Sequence, residues 1–509
     1  MTDWGPGTVT DSGYPRTARL WRRGEALDAL PVLAEGEPSD VSVDARVERD
    51  GGRTWIVVER SVSFFEAQHL VTDDPGRPPV ALPVPLHADL RGALDGRAIV
   101  SLREPWTHGG STYPLGAVVA LDLTTSAAEA VLVPAANESI EDVQIGEGSL
   151  LVQLLRDVSG RAVRVVRDRR GRWVPHAIPL PDRGVVSLVS VGGGTDEALV
   201  SYQSLTTPPS LLAVDRRDRV RPIRSMPPAY DASDVVVEQR FAISDDGTRV
   251  PYFVMARRDV LARGDAPTIQ YAYGGFLAAT LPEYFSEVAR PQHGAIAGRL
   301  WVSRGGALVL ANIRGGSEYG PAWHEAALQA NRQRAYDDFF AVSRALIASG
   351  LTRPERLGAL GRSNGGLLMG VVQTQHPELY GAIVCGVPLV DMLGYTKLGA
   401  GASWIGEYGD PAVPAERAVL ETYSPYQHLA AGRGYPPVLF YTSTEDDRVH
   451  PGHARKAVAR MEELGYDVLL YENREGGHAG TANQEQLADL IALQYTFFAR
   501  ELMDDPEAR

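Results

Sequence analysis

The sequence predicts two domains of different class: an all-β, propeller-like domain over residues 1–230 and an α/β domain over residues 231–509. Two observations predict this. Short apolar runs punctuated by Gly, Asp, Pro and Arg fill the first half, and they recur at a regular spacing. From about Asp231 such runs alternate with longer segments of helical period, the mark of a mostly parallel sheet covered on both faces. At 509 residues the chain is long enough to build two or three separate cores.

In the first half the clearest strands are residues 55–59, 98–102, 150–154 and 198–202, recurring at roughly 43 to 52 residues, within or near the length of a propeller blade. Further strand-like segments, such as 118–122 and 211–215, fall between them. The reading is four four-stranded blades, with residues 17–33 supplying the outer half of a fifth. No strong repeat motif marks the blades, so a pair of β-sandwiches is the competing arrangement. Pro227-Pro228 and the polar stretch after it read as a linker. Beyond it, strands are expected at 235–242, 250–255, 268–271, 307–312, 357–360, 382–385, 438–442 and 468–471. Helices are expected at 334–349, 365–375, 452–464 and 484–502.

Composition narrows the function classes. A net charge of −14 argues against nucleic acid or an anionic membrane surface as the main partner. The single cysteine, Cys385, allows no intrachain disulfide and no sulfur-ligated metal site, and its apolar surroundings suit a buried hydrophobe. No apolar stretch approaches the ~18 residues that span a bilayer. Residues 1–7 lack the basic and apolar regions of a signal peptide, so a cytoplasmic location is the default expectation.

The strongest local signal is Leu360-Gly361-Arg362-Ser363-Asn364-Gly365-Gly366. It follows a predicted strand and opens a predicted helix, the context of the nucleophile elbow in the α/β-hydrolase fold. Small residues flank Ser363 because a tight strand-to-helix turn has no room for larger ones; an ordinary Gly-rich turn is the plain alternative. A serine needs a base, and in this fold the order is Ser, acid, His. Of His376, His428, His450, His453 and His478, only His478 sits in a glycine-flanked loop between the last strand and the last helix. His376 falls at a helix end, His428 precedes the acid, and His450 and His453 flank a helix start; these read as structural or surface residues. The acid is expected after strand 438–442, in Glu445-Asp446-Asp447. Spacing alone does not choose between Asp446 and Asp447.

With these residues in place the chain resembles the prolyl oligopeptidase family. The resemblance rests on Tyr273-Gly274-Gly275-Phe276, Asn312-Ile313-Arg314-Gly315-Gly316, Ser363-Asn364-Gly365-Gly366 and Asp446-Asp447-Arg448-Val449. Gly476-Gly477-His478, and Asp391-Met392-Leu393 followed by Trp404 and Glu407-Tyr408-Gly409, add to it. It covers roughly residues 231–509 and is looser before them. It implies Asp446 as the acid, Tyr273 and the Asn364 amide as the oxyanion hole, and Arg448 on a substrate carbonyl. It also implies Trp404 stacking on the P1 side chain, with Tyr408 and Phe276 as pocket neighbours. Each aromatic has a plain rival role in the core or at a strand end. Arg314, in a Gly-rich turn, reads as structural.

The implied activity is peptide hydrolysis after proline or an apolar residue, through an acyl-enzyme on Ser363. Peptides are the expected partners, no metal or organic cofactor is implied, and the oligomeric state stays open. A carboxylesterase, an acylaminoacyl-type peptidase and an oligopeptidase cutting after basic residues share the fold. A propeller binding module on an inactive hydrolase domain is the rival from another class, against which all three triad residues stand. Only about four and a half blades fit before residue 232, where the family usually carries seven. Either the propeller is truncated, the start lies upstream, or this lineage has a reduced gate; truncation or an upstream start is the expectation.

Overall fold

The computed structural model describes residues 4–11, 13–27, 30–63, 65–192, 196–284 and 298–503. Four antiparallel four-stranded meanders occupy residues 42–81, 88–132, 138–177 and 185–225, preceded by a two-stranded ladder of Thr17–Arg19 with Val32–Glu35. The first strands of successive sheets, Ser42–Asp50, Ala88–Leu94, Glu138–Ile145 and Val185–Val191, pack against one another. This sets the sheets radially about a common axis, the arrangement of a propeller rather than of stacked sandwiches. In three of the four meanders that first strand is bulged, at 90/92, 140/142 and 188/190. A bulge adds local twist where strands crowd the axis.

The second strand of each sheet lies between neighbouring sheets. In Arg97–Leu102 and Ser149–Arg156 nearly every residue is buried, which is why these strands are continuous apolar runs rather than alternating ones. Outer strands such as Val220–Ser225 are largely exposed and mix polar with apolar residues.

The second half is one eight-stranded sheet. Its strands are β1 (Val235–Ile243), β2 (Arg249–Arg257), β3 (Thr268–Tyr271), β4 (Ala307–Ala311), β5 (Leu357–Arg362), β6 (Ala382–Gly386), β7 (Val438–Ser443) and β8 (Leu469–Asn473). They run in the order β1-β2-β4-β3-β5-β6-β7-β8. The β1–β2 and β2–β4 pairs are antiparallel and every pair from β4 onward is parallel. Alternate residues feed two apolar cores. Val254, Val309, Ala359, Ile383 and Phe440 face one layer; Phe253, Leu308, Leu360, Val384 and Leu439 face the other. The first layer is closed by α1 (Gln333–Ala348), α2 (Asn364–Gln375) and α3 (Gly452–Glu463), the second mainly by α4 (Gln484–Leu502).

The expected strands and helices of this half are all present, with ends shifted by one or two residues; β8, for instance, runs to Asn473 instead of 471. Short helices such as Pro321–Glu325 and Pro414–Tyr423 were not expected. Among the described residues no helix is long and apolar enough to cross a membrane.

Candidate active site

Ser363 stands at the turn from β5 into α2 with φ 59° and ψ −120°, a conformation that β-carbon-bearing residues avoid and that nucleophile elbows adopt. The flanking glycines are required sterically. A Cβ on Gly361 would strike the Gly365 carbonyl, one on Gly365 would lie 2.9 Å from the Ala272 carbonyl, and one on Gly366 2.6 Å from that of Gly386. The Ser363 N–H donates to Gly386 O at 2.9 Å, fixing the turn to the end of β6.

His478 lies in the loop after β8, and its Nε2 is 3.0 Å from Ser363 Oγ. Its Nδ1 is 2.9 Å from Asp446 Oδ2 and 3.1 Å from Oδ1. Arg362 clamps the loop by donating to the His478 carbonyl at 2.7 Å, and Ser443 Oγ donates to that of Gly476. Gly476, at φ +83°, has no room for a Cβ against Thr481. The two candidate acids separate here. Asp446 is buried and accepts from the Arg448 and Val449 amides at 3.0 and 2.9 Å. Asp447 is exposed and, among the described residues, accepts from the backbone N–H of His478 at 3.3 Å. The two backbone donors to Asp446 fix its carboxyl beside Nδ1, where it can hold the imidazole tautomer.

A cavity of about 580 Å³ opens over the serine, its wall including Ser363, His478, Tyr273, Arg448 and Leu277, with Glu141 from the propeller opposite. Burial pushes the Tyr273 phenol above its ordinary value, with the neighbouring Ser363 hydroxyl working the other way, so the ring keeps its proton as a donor. The Asn364 N–H is among the first amides of α2, which lack intrahelical acceptors. Trp404 is 8% exposed and Tyr408 1%, both within the apolar core, with half-buried Phe276 packed against it. Tyr408 meets Phe276 edge-on at 5.7 Å, and its hydroxyl donates to Asn364 Oδ1 at 2.8 Å. None of the three is on the cavity wall.

The other histidines are placed elsewhere. His453 is fully buried, its Nδ1 accepting from the Val390 and Asp391 amides, and burial pushes its pKa down to about 4. His376 ends α2 beside Glu378, and His450 caps Gly452. Arg314 is buried between Asp338 and Asp246, a structural ion-paired residue. Cys385 is buried, and its environment raises the thiol pKa far above the ordinary value. Sequence reasoning missed Arg332 and His324, which meet Glu407 beneath the elbow, and Glu141 and Ser317, which join the two halves at the cavity. Arg332 opens a helix with no motif around it; only the Glu407-Tyr408-Gly409 segment signalled that cluster.

The family model for the prolyl oligopeptidase family matches residues 297–505, and that for the prolyl oligopeptidase N-terminal β-propeller domain matches residues 2–225. The uncharacterized peptidase y4nA of Sinorhizobium fredii is 40% identical over 99% of this chain and 70% of its own length. The prolyl endopeptidase of Elizabethkingia meningoseptica is 31% identical over 69% of this chain and 49% of its own. Among solved structures, a post-proline cleaving enzyme from Rickettsia typhi superposes with a TM-score of 0.87 at 30% identity, covering 98% of this chain and 73% of that one. With both halves matched, and a 40% likeness along 99% of its length, the chain belongs to the prolyl oligopeptidase family of serine peptidases.

Proposed function

We propose that this chain cleaves peptide bonds on the carboxyl side of proline through an acyl-enzyme on Ser363. The observation that carries the proposal is His478, whose two ring nitrogens lie 3.0 Å from Ser363 Oγ and 2.9 Å from Asp446. His478 Nε2 takes the Ser363 proton as Oγ attacks the scissile carbonyl, and Asp446 stabilises the imidazolium. Tyr273 and the Asn364 amide donate to the tetrahedral oxyanion. The C–N bond then breaks as His478 protonates the departing amine, and water, deprotonated by His478, releases the acyl group. Arg448, on the cavity wall, binds a substrate carbonyl near the scissile bond. By the family resemblance the proline pocket belongs to Trp404 and Phe276, which lie off the wall of the cavity over Ser363, with Tyr408 edge-on to Phe276 as support.

The proline preference is supported by relatives described as prolyl endopeptidases and by the post-proline cleaving enzyme of similar structure. A chromogenic Z-Gly-Xaa series varied at P1, run with the wild type and Ser363→Ala, tests the proposal. Proline should give the highest kcat/KM, and Ser363→Ala should abolish turnover throughout. A preference for Arg or Lys, or cleavage of esters without amides, would refute it.

A further inference from the structure

Arg332, at the start of α1, is 1% exposed, and Glu407 is wholly buried. Isolated charges are not kept in apolar cores without compensating bonds, so the acceptors around this guanidinium define its task. Nη1 donates to Glu407 Oε1 at 2.9 Å, while Nη2 donates to the Gly274 carbonyl at 2.9 Å and to Asn364 Oδ1. Asn364 in turn donates from Nδ2 to the Tyr273 carbonyl at 2.6 Å. Glu407 accepts the Phe276 N–H at 3.1 Å and faces His324 Nε2 at 2.7 Å. The Tyr273 carbonyl is thus tied to the Asn364 side chain and the Gly274 carbonyl to Arg332, which also holds Asn364, so one cation holds the knot.

We infer that Arg332 is a positioning residue for the oxyanion hole, holding the Tyr273 loop and the Asn364 amide in the relation that lets both donors meet one oxygen. The inference rests on the roles proposed above for Tyr273 and Asn364. Arg332 is not on the cavity wall, so it acts through those two residues and not on substrate. Its planar fork reaches three acceptors at once, which the single point of a lysine ammonium does not reproduce. An ill-positioned donor lowers the stability of the transition state and leaves ground-state binding alone.

The test compares Arg332→Lys with Asn364→Ala, which keeps the backbone donor but cuts its side-chain ties. Each is assayed for kcat and KM on a Z-Gly-Pro substrate. Each is also titrated with a peptidyl-prolinal, whose hemiacetal oxygen occupies the oxyanion position, and with the matching prolinol, which forms no adduct. The expected result is a kcat lower by about 10–10²-fold, KM within about threefold, aldehyde affinity falling in step with kcat, and alcohol affinity unchanged. An unchanged kcat, a raised KM at constant kcat, or equal weakening of aldehyde and alcohol would overturn the inference. If Arg332→Lys does not fold, the same outcomes for Asn364→Ala decide. Turnover by Ser363→Ala would refute the site reading itself; an inactive Ser363→Ala beside a fully active Arg332→Lys would refute this inference alone.

Discussion

Asp446 and Asp447 are adjacent in sequence and opposite in environment: one is buried under His478 with two backbone donors, the other exposed. Asp446→Asn should present the wrong partner to Nδ1 and lower kcat by about 10³-fold or more, as tautomer loss does in triads. Asp447→Asn should stay within roughly tenfold, because it loses at most one 3.3 Å bond to a backbone N–H. Steady-state kinetics on one proline substrate checks both, and equal losses would mean that the acid is misassigned. The serine and the histidine were legible because their glycines are demanded by local turn geometry. Which carboxylate is buried was not legible, because that depends on how the turn packs under a loop thirty residues away. The bond from the Tyr408 hydroxyl to Asn364 was equally hidden, because it joins residues far apart in sequence.

At the scale of elements, legibility followed burial. Strands enclosed on both faces, such as Ser149–Arg156, announce themselves as apolar runs, whereas exposed outer strands such as Val220–Ser225 carry no such signal. The turn after β4 shows what patterning cannot reveal. Glu318 there is buried, with Oε1 accepting from the Thr280 N–H at 2.8 Å and Oε2 without a hydrogen-bond partner among the described residues. Burial, with a contribution from Glu141 nearby, pushes its pKa up to about 8. A carboxyl with a raised folded pKa binds its proton more tightly in the native state. Its stabilising contribution is therefore complete below the ordinary glutamate range and is lost as pH rises through about 8. Glu318→Gln should remove much of the fall in melting temperature between pH 5 and pH 9 and raise stability at pH 9, by on the order of a few kcal/mol. Parallel pH profiles with no difference at the alkaline end would contradict this.

Over the whole molecule, the change from strand-only to alternating grammar separated two kinds of fold, but not how they meet. That contact is mixed: Val158 and Leu205 of the propeller join the second apolar core of the hydrolase domain, and polar bonds accompany them. Ser317 Oγ donates to Glu141 at 3.1 Å, Gln239 Nε2 donates to the Asp157 carbonyl at 2.7 Å, and the Phe65 ring sits 5.5 Å from that of His324. Glu141 is held above its ordinary pKa by burial, with hydrogen bonds from Ser139 and Ser317 opposing the shift. Ser317→Ala should therefore weaken the junction by about 1–3 kcal/mol, seen as a lower melting temperature with the secondary structure unchanged. The central claim is that Ser363, armed by His478 and Asp446, is the peptidase nucleophile beneath this junction. Its most direct test is to label the full chain with a fluorophosphonate, locate the adduct by peptide mass spectrometry, and follow residual Z-Gly-Pro hydrolysis as labelling proceeds. The account predicts one adduct, on Ser363, with activity lost in proportion to its occupancy; an adduct on another residue, or activity surviving full occupancy of Ser363, would contradict it.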